Sequence, residues 1–327
     1  MFQKCIPAGF FLLNIFQGSI IQHTEHSLTI TDQLNQLENR GMDLDNSQEA
    51  SIFLEFVSYY RLSGYWKSFE QPNTNKHIFQ KNVRFGDVKR LYEFDRKLRL
   101  LLLDAIERIE IALRTQWTNY IAQKYGPRGY LNEANYKNKL FHEKNVSDLR
   151  TVFKHSRDEF VIHYRRTYTD FNLLPVWMAT ELMSFGLLSR FFSNMKCRRN
   201  ENPIAGRFRL EHRLFTKFIY HLSFVRNVCA HHGRLWDRDI FVSYSLPAKP
   251  EGLAGAFSGN NRNGSEGMKL YNTLVMIDHL FGFIIPYNEE NEWKGKLIHL
   301  INCNSQIDLS CMGFPNDWRD RLIWRVK

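Results

Sequence analysis

The sequence predicts an all-α protein, on three observations. Apolar residues recur at three- and four-residue steps along most of the chain, and runs of alternating β-branched residues are scarce. Helix-start and helix-stop residues also punctuate the apolar pattern at intervals that suit globular helices.

The elements follow in order. Thr31 to Asn39 reads as a short helix ended by Gly41, and Ser47 to Tyr60 as a second one capped by Ser47. The second runs into Tyr59-Tyr60-Arg61-Leu62-Ser63-Gly64-Tyr65-Trp66, where aromatic rings surround an arginine. Such rings can stack on bases, yet clustered Tyr and Trp more often pin a helix junction to a core, which is the favoured reading. Asp87 opens the longest pattern, with Val88, Leu91, Phe94, Leu98, Leu102, Ala105, Ile109, Ala112, Gln116 and Tyr120 in helical register up to Gly126-Pro127. At 1.5 Å per residue the helix would reach ~55 to 60 Å, a length that invites a kink. Glu107, Glu110 and Arg114 share one of its faces, either as an ion-pair ladder or as a polar wall of a groove.

A third helix is read over Ser147 to Thr167, and the next starts at Pro175 with Val176, Ala179, Leu182, Met183, Leu187 and Phe191 in period. The densest basic tract follows, with Lys196, Arg198, Arg199, Arg207, Arg209 and Arg213 as candidate phosphate contacts; a solvated loop explains it almost as well. A helix beginning near Glu211 buries Leu214, Phe215, Phe218, Leu222, Val225 and Cys229. Its C-terminal end delivers Arg226, Asn227, His231 and His232, with Gly233 as its stop. Past Pro250, the residues Gly252, Gly255, Gly259, Gly264 and Gly267 read as a mobile loop, and one or two helices follow from Tyr271. The expected organisation is an extension over 1–26, an N-terminal helical module over 27–80, a helical core over 81–245, a mobile loop over 246–268 and a C-terminal helical segment over 269–327.

The 327 residues carry a net charge of +10 and an isoelectric point near 9.3, which favours an anionic partner, nucleic acid ahead of a membrane surface. Five cysteines form neither a disulfide framework nor a paired zinc pattern, so a reducing cytoplasm is the expected compartment. Lys4 precedes an apolar run from Ile6 to Phe16 that loosely resembles a signal peptide, but Asn14 and Gln17 interrupt that region. No run approaches the ~18 to 20 apolar residues of a spanning helix, so no membrane partner is expected.

The pair that carries chemistry is Arg226 and His231. Cutting RNA without a metal requires a base for the 2′-hydroxyl proton and a fixed cation for charge building on the phosphate oxygens. Imidazole, with a pKa of about 6.5, exchanges protons in both directions near neutrality, and guanidinium stays charged. On a straight helix the two residues lie ~140° apart, whereas Asn227 and His231 are one turn apart. Either the helix ends or distorts near Cys229, or a two-fold partner supplies the missing groups. Alone, this spacing is a weak signal, since adjacent histidines at a helix end are more often capping features.

The surrounding motifs resemble the Abi-like proteins of the AbiD and AbiF type, within the HEPN superfamily of all-helical ribonucleases. The resemblance rests on Tyr60-Arg61-Leu62-Ser63-Gly64-Tyr65-Trp66, on Phe94-Asp95-Arg96 with Glu107-Arg108-Ile109-Glu110 and Arg114, and on Pro175-Val176-Trp177 with Glu181 and Ser184-Phe185-Gly186. Arg226-Asn227-Val228-Cys229-Ala230-His231-His232-Gly233-Arg234-Leu235-Trp236 and the closing Gly313-Phe314-Pro315 with Trp318 complete it, so it runs from about Leu28 to the end. It implies a HEPN-like helical bundle with N- and C-terminal helical elaborations. It further implies a homodimer and a metal-independent endoribonuclease acting as a toxin in phage defence, without a cofactor and in some relatives restrained by a structured noncoding RNA. Arg226, Asn227 and His231 take the catalytic positions, with His232, Glu110 and Arg114 in support and Arg234 joining the basic tract as an RNA contact. The competing readings are a catalytically silent RNA-binding module and a metal site built from Cys229, His231, His232 and His221, the last lacking a second ligand pair at finger-like spacing.

Overall fold

The computed structural model describes residues 27–72, 77–168, 173–197, 202–259, 268–286 and 291–325. The expected extension 1–26, together with Arg198, Arg199, Gly264 and Gly267, lies outside them. The described residues form thirteen α-helices with short 3₁₀ turns and no strand, only isolated bridge pairs. The fold is all-α. No described helix is long and apolar enough to cross a membrane.

The chain divides into two compact units, Met1–Phe85 and Gly86–Lys327, a few residues beyond the boundary expected after residue 80. In the first unit, helix α1 (Ile30–Asn39) is capped by Thr29, whose hydroxyl accepts the Asp32 N–H, and it ends at Gly41 with φ +91°. The single helix expected over Ser47 to Tyr60 is two: α2 (Ser47–Phe56), capped by Asn46 rather than Ser47, and α3 (Tyr59–Trp66), capped by Ser58. Val57 turns extended and ends the run, and the Ser58 hydroxyl then accepts the Arg61 N–H, so a fresh helix starts there. The aromatic segment packs as a core junction. Tyr65 and Trp66 are buried, Tyr59 meets Trp66 edge-on at 4.7 Å, and the Arg40 guanidinium lies 4.6 Å from the Phe79 ring. Tyr60 is the exposed exception.

The second unit is built on α4 (Phe85–Tyr125), 41 residues in one helix without a break. Its buried face follows the predicted stripe from Val88 to Ile109 and then continues through Leu113, Trp117 and Ile121 instead of Ala112, Gln116 and Tyr120. Both series satisfy the 3.6-residue period, and the bulkier one fills the core. The helix expected over Ser147 to Thr167 is α5 (Lys139–His155) and α6 (Glu159–Thr167), parted at Ser156. The helix expected from Pro175 is α7 (Val176–Leu182) and α8 (Phe185–Asn194), because the Ser184 hydroxyl caps a new start on the Leu187 N–H.

Helices α9 (Pro203–Arg207) and α10 (His212–Ala230) follow, and α10 and α5 both pack on α8. Within the stretch read as a mobile loop, residues 251–259 carry defined local structure. Residues Glu251–Ala254 form a helical turn, α11, and Leu253, Ala256 and Phe257 are buried. Tyr271 Oη donates to the Ala256 carbonyl at 3.0 Å, and Arg321 Nη1 donates to the carbonyls of Ala256 and Phe257 at 3.0 and 2.7 Å. Those bonds satisfy a segment whose glycines alone suggested freedom. Helix α12 (Leu270–Ile284) is buried along most of its length, and α13 (Glu292–Asn302) precedes the closing 3₁₀ turns.

Candidate functional site

Helix α10 buries Leu214, Phe215, Phe218, Ile219, Leu222, Val225 and Cys229 and leaves Arg226 and Asn227 exposed in its last turn. Its end is a Schellman turn. His231 is the C-cap, its N–H bonded to the Asn227 carbonyl, and the N–H groups of His232 and Gly233 return to the carbonyls of Cys229 and Val228 at 3.1 and 2.8 Å. The left-handed residue of the turn is His232, with φ +58°, one position before the Gly233 read as the stop. Gly233 is needed for another reason: a Cβ there would lie 3.1 Å from Val228 Cγ1 and 3.2 Å from the Val228 carbonyl.

The segment after the turn is tied down from α4. Asp95, fully buried, accepts the N–H groups of Leu235 at 3.1 Å and Trp236 at 2.7 Å and is ion-paired with buried Arg99. Leu235 and Trp236 are themselves buried, and Trp236 Nε1 donates to the Asp308 carbonyl at 3.2 Å. Sequence reading noted Asp95 within a motif and assigned it no role.

At this anchored tip the side chains of Arg226, Asn227, His231 and His232 are exposed. Arg226 Nη1 donates to Asn227 Oδ1 at 3.4 Å. Arg226 also lines a cleft of about 420 Å³ with Leu103, Asp104, Glu107 and Glu110 of α4, so the polar wall read from the Glu107 and Glu110 spacing does face a groove. His231 is not among the residues lining that cleft. The cleft thus holds the Arg226 guanidinium without the His231 imidazole.

Arg114 is engaged with backbone. Its guanidinium donates to the carbonyls of Thr180 and Met183 at the end of α7, the latter at 2.6 Å, and pairs with Glu110. The Arg114 guanidinium thereby adds a charged donor to the Thr180 carbonyl, which already accepts the Met183 N–H at 3.1 Å, and bonds the Met183 carbonyl where α7 breaks before α8. Glu110 thus links that clamp to the cleft.

The groups weighed as metal ligands are apart in character. His221 is buried, with Nε2 2.8 Å from Thr273 Oγ1 and Nδ1 against the Val242 carbonyl, and burial lowers its pKa to about 4. Cys229 is buried, and burial with the nearby Asp95 charge raises its thiol to about 12, whereas His231 and His232 face solvent. Among the described residues no group of three or more His, Cys, Asp or Glu is arranged to hold a metal ion.

The basic tract lies elsewhere. Arg213 is exposed in the first turn of α10, ~20 Å along the helix from Arg226. Arg207 is exposed at the end of α9, Arg209 lies 5.8 Å from the Phe283 ring, and Lys196 lines a separate cleft. Arg234 is half-buried beyond the Schellman turn. A family model described as Abi-like protein matches residues 52–237, and no curated protein and no solved structure matches the chain.

Proposed function

The chain belongs to the Abi-like family, which links it with abortive infection as a defence against phage, and on that premise we propose that it is a metal-independent endoribonuclease of the HEPN type, acting as a cytoplasmic toxin. The observation that carries the reading is the tip of α10. Arg226 and His231 are exposed there on backbone held by a Schellman turn, the close approach at Gly233 and the Asp95 carboxylate.

In the proposed reaction the His231 imidazole takes the proton of an RNA 2′-hydroxyl. The 2′-oxygen attacks the adjacent phosphorus, the bond to the 5′-oxygen breaks, that oxygen takes a proton from water, and the His231 imidazolium returns its proton to the resulting hydroxide. The products are a 2′,3′-cyclic phosphate and a 5′-hydroxyl. Arg226 steadies the charge on the non-bridging oxygens, and Asn227 orients it. Because one copy does not place His231 in the Arg226 cleft, a two-fold pair of chains, each tip facing the other, is the arrangement that completes the site. By the same resemblance, a structured noncoding RNA would restrain the toxin.

The test is to incubate purified protein with cellular RNA in EDTA and map fragment ends. The reading requires cyclic-phosphate and 5′-hydroxyl ends that disappear in Arg226→Ala and His231→Ala. Cleavage and growth arrest that persist in both variants would sink it. The separation of His231 from the Arg226 cleft also fits a catalytically silent RNA-binding module, which salt-sensitive RNA binding without any product would identify.

A further inference from the structure

The structure holds a larger cleft, of about 1070 Å³, at the C-terminal end of α4. Tyr120, Lys124 and Tyr125 form one wall, and Lys196, Cys197 and Asn202 stand among the residues of the other. Glu107 in the Arg226 cleft and Tyr120 here are thirteen residues apart on one helix, ~20 Å, so the two clefts are separate sites.

The lining is cationic and aromatic. Lys124 and Lys196 are exposed, and no carboxylate lines the cleft among the described residues. Lys124 Nζ donates to Tyr120 Oη at 2.8 Å and stands 5.0 and 5.1 Å from the ring centroids of Tyr120 and Tyr125, which meet edge-on at 6.1 Å. The hydrogen bond to Tyr120 raises the pKa of Lys124 and so keeps it cationic. Two described residues of the opposite wall, Lys196 and Asn202, are held by hydrogen bonds of their own. The Lys196 N–H donates to the Asn135 carbonyl at 2.9 Å. Buried Asn202 caps α9 on the N–H groups of Ile204 and Ala205, while its Nδ2 donates to Cys197 Sγ at 3.3 Å.

Two ammonium groups with no carboxylate opposing them among the described residues suit a phosphate, and tyrosine rings beside them suit a base. We propose that this cleft binds one nucleotide unit of single-stranded RNA, with its phosphate held by Lys124 and Lys196 and its base against Tyr125. A bare phosphate would leave the rings unused, and an apolar ligand would leave both ammonium groups without a counter-charge. The inference concerns binding alone and is independent of whether Arg226 and His231 cleave RNA.

The experiment is fluorescence anisotropy of a labelled single-stranded oligoribonucleotide of about twelve nucleotides, within the usual range of single-strand sites. It is read across a salt series in a His231→Ala background that removes any turnover. The double variant Lys124→Ala/Lys196→Ala should bind at least about tenfold more weakly, with a log–log salt slope shallower by ~0.7, the expectation for one lost single-strand phosphate contact. Tyr125→Leu should weaken binding by about fivefold or more and leave that slope unchanged. Thermal melts and circular dichroism confirm that each variant keeps the fold. AMP is run as a competitor, and displacement of the oligonucleotide by millimolar AMP supports the assignment. Unchanged affinity and salt slope in the folded double variant overturn it, as does binding of AMP to a protein that ignores the oligonucleotide.

Discussion

Asp95 on α4 accepts the main-chain N–H of Trp236 at 2.7 Å, although the two residues are 141 positions apart in sequence. The same carboxylate receives the Leu235 N–H and pairs with Arg99, so it is the point at which the long helix holds the peptide leaving the α10 tip.

Removing it should be severe. Asp95→Ala strips two buried N–H groups of their acceptor and takes the carboxylate from a buried guanidinium, a loss of roughly 3–5 kcal/mol by the measure of broken buried pairs. Asp95→Asn, which keeps one acceptor oxygen, should lose less. Urea unfolding gives the stability, and amide exchange at Leu235 and Trp236 shows whether the loss is centred there. Native exchange rates in Asp95→Ala would contradict the assignment.

The adjacent residues of the Schellman turn should respond in opposite directions. His232→Gly relieves a left-handed backbone that costs an L-residue ~1–2 kcal/mol, set against glycine's own entropy cost of ~0.5–1 kcal/mol, so a gain of up to about 1.5 kcal/mol is expected. Gly233→Ala forces Val228 to yield and should destabilise by about 1–3 kcal/mol, the range for overpacked sites. The denaturant midpoints of the two variants should therefore fall on either side of the parent; a shift of both in the same direction would refute this account of the turn.

Arg114→Ala should cost about 2–4 kcal/mol, because two carbonyls at the end of α7 and the Glu110 carboxylate lose a charged donor together. Arg114→Lys should recover only part of this, since one ammonium cannot reproduce the fork. Faster amide exchange at the α7–α8 junction would accompany the loss. An Arg114→Ala protein as stable as the parent would show that the clamp contributes little.

Stability should fall as the medium is acidified from about pH 6.5 towards pH 4. Burial holds the His221 imidazole neutral to about 4, while the unfolded chain binds that proton near the ordinary 6.5. Between those values the unfolded state carries the extra proton, so each pH unit of acidification removes up to about 1.4 kcal/mol. His221→Gln, retaining hydrogen-bonding capacity toward Val242 and Thr273, should be less stable at pH 7 and show a shallower fall. Identical pH profiles for the two proteins would remove His221 as a source.

Much of the helical framework was legible because helix formation is local. The start at Pro175, the end at Gly126-Pro127 and the burial of Leu222, Val225 and Cys229 on one face of α10 follow from spacing within a few turns. The missed breaks at Val57, Ser156 and Met183 are short. Each replaces one turn of helix with a new cap, Ser58, Asp158 and Ser184 respectively, and a serine or aspartate inside an otherwise periodic run reads equally well as a surface residue.

By itself the sequence determined that the chain is helical and basic and that Arg226, Asn227 and His231 share one helix end, since those properties depend on residue type and on the 3.6-residue turn. Tertiary structure alone decided that Asp95 anchors Trp236, that Arg226 enters a carboxylate-lined cleft without His231, that Arg114 clamps α7, and that Tyr120, Lys124 and Lys196 enclose a second cleft. Contacts between segments tens to more than a hundred residues apart depend on the dihedral angles of every intervening connection and on which side chains fill the core. Periodicity in the chain does not encode those quantities.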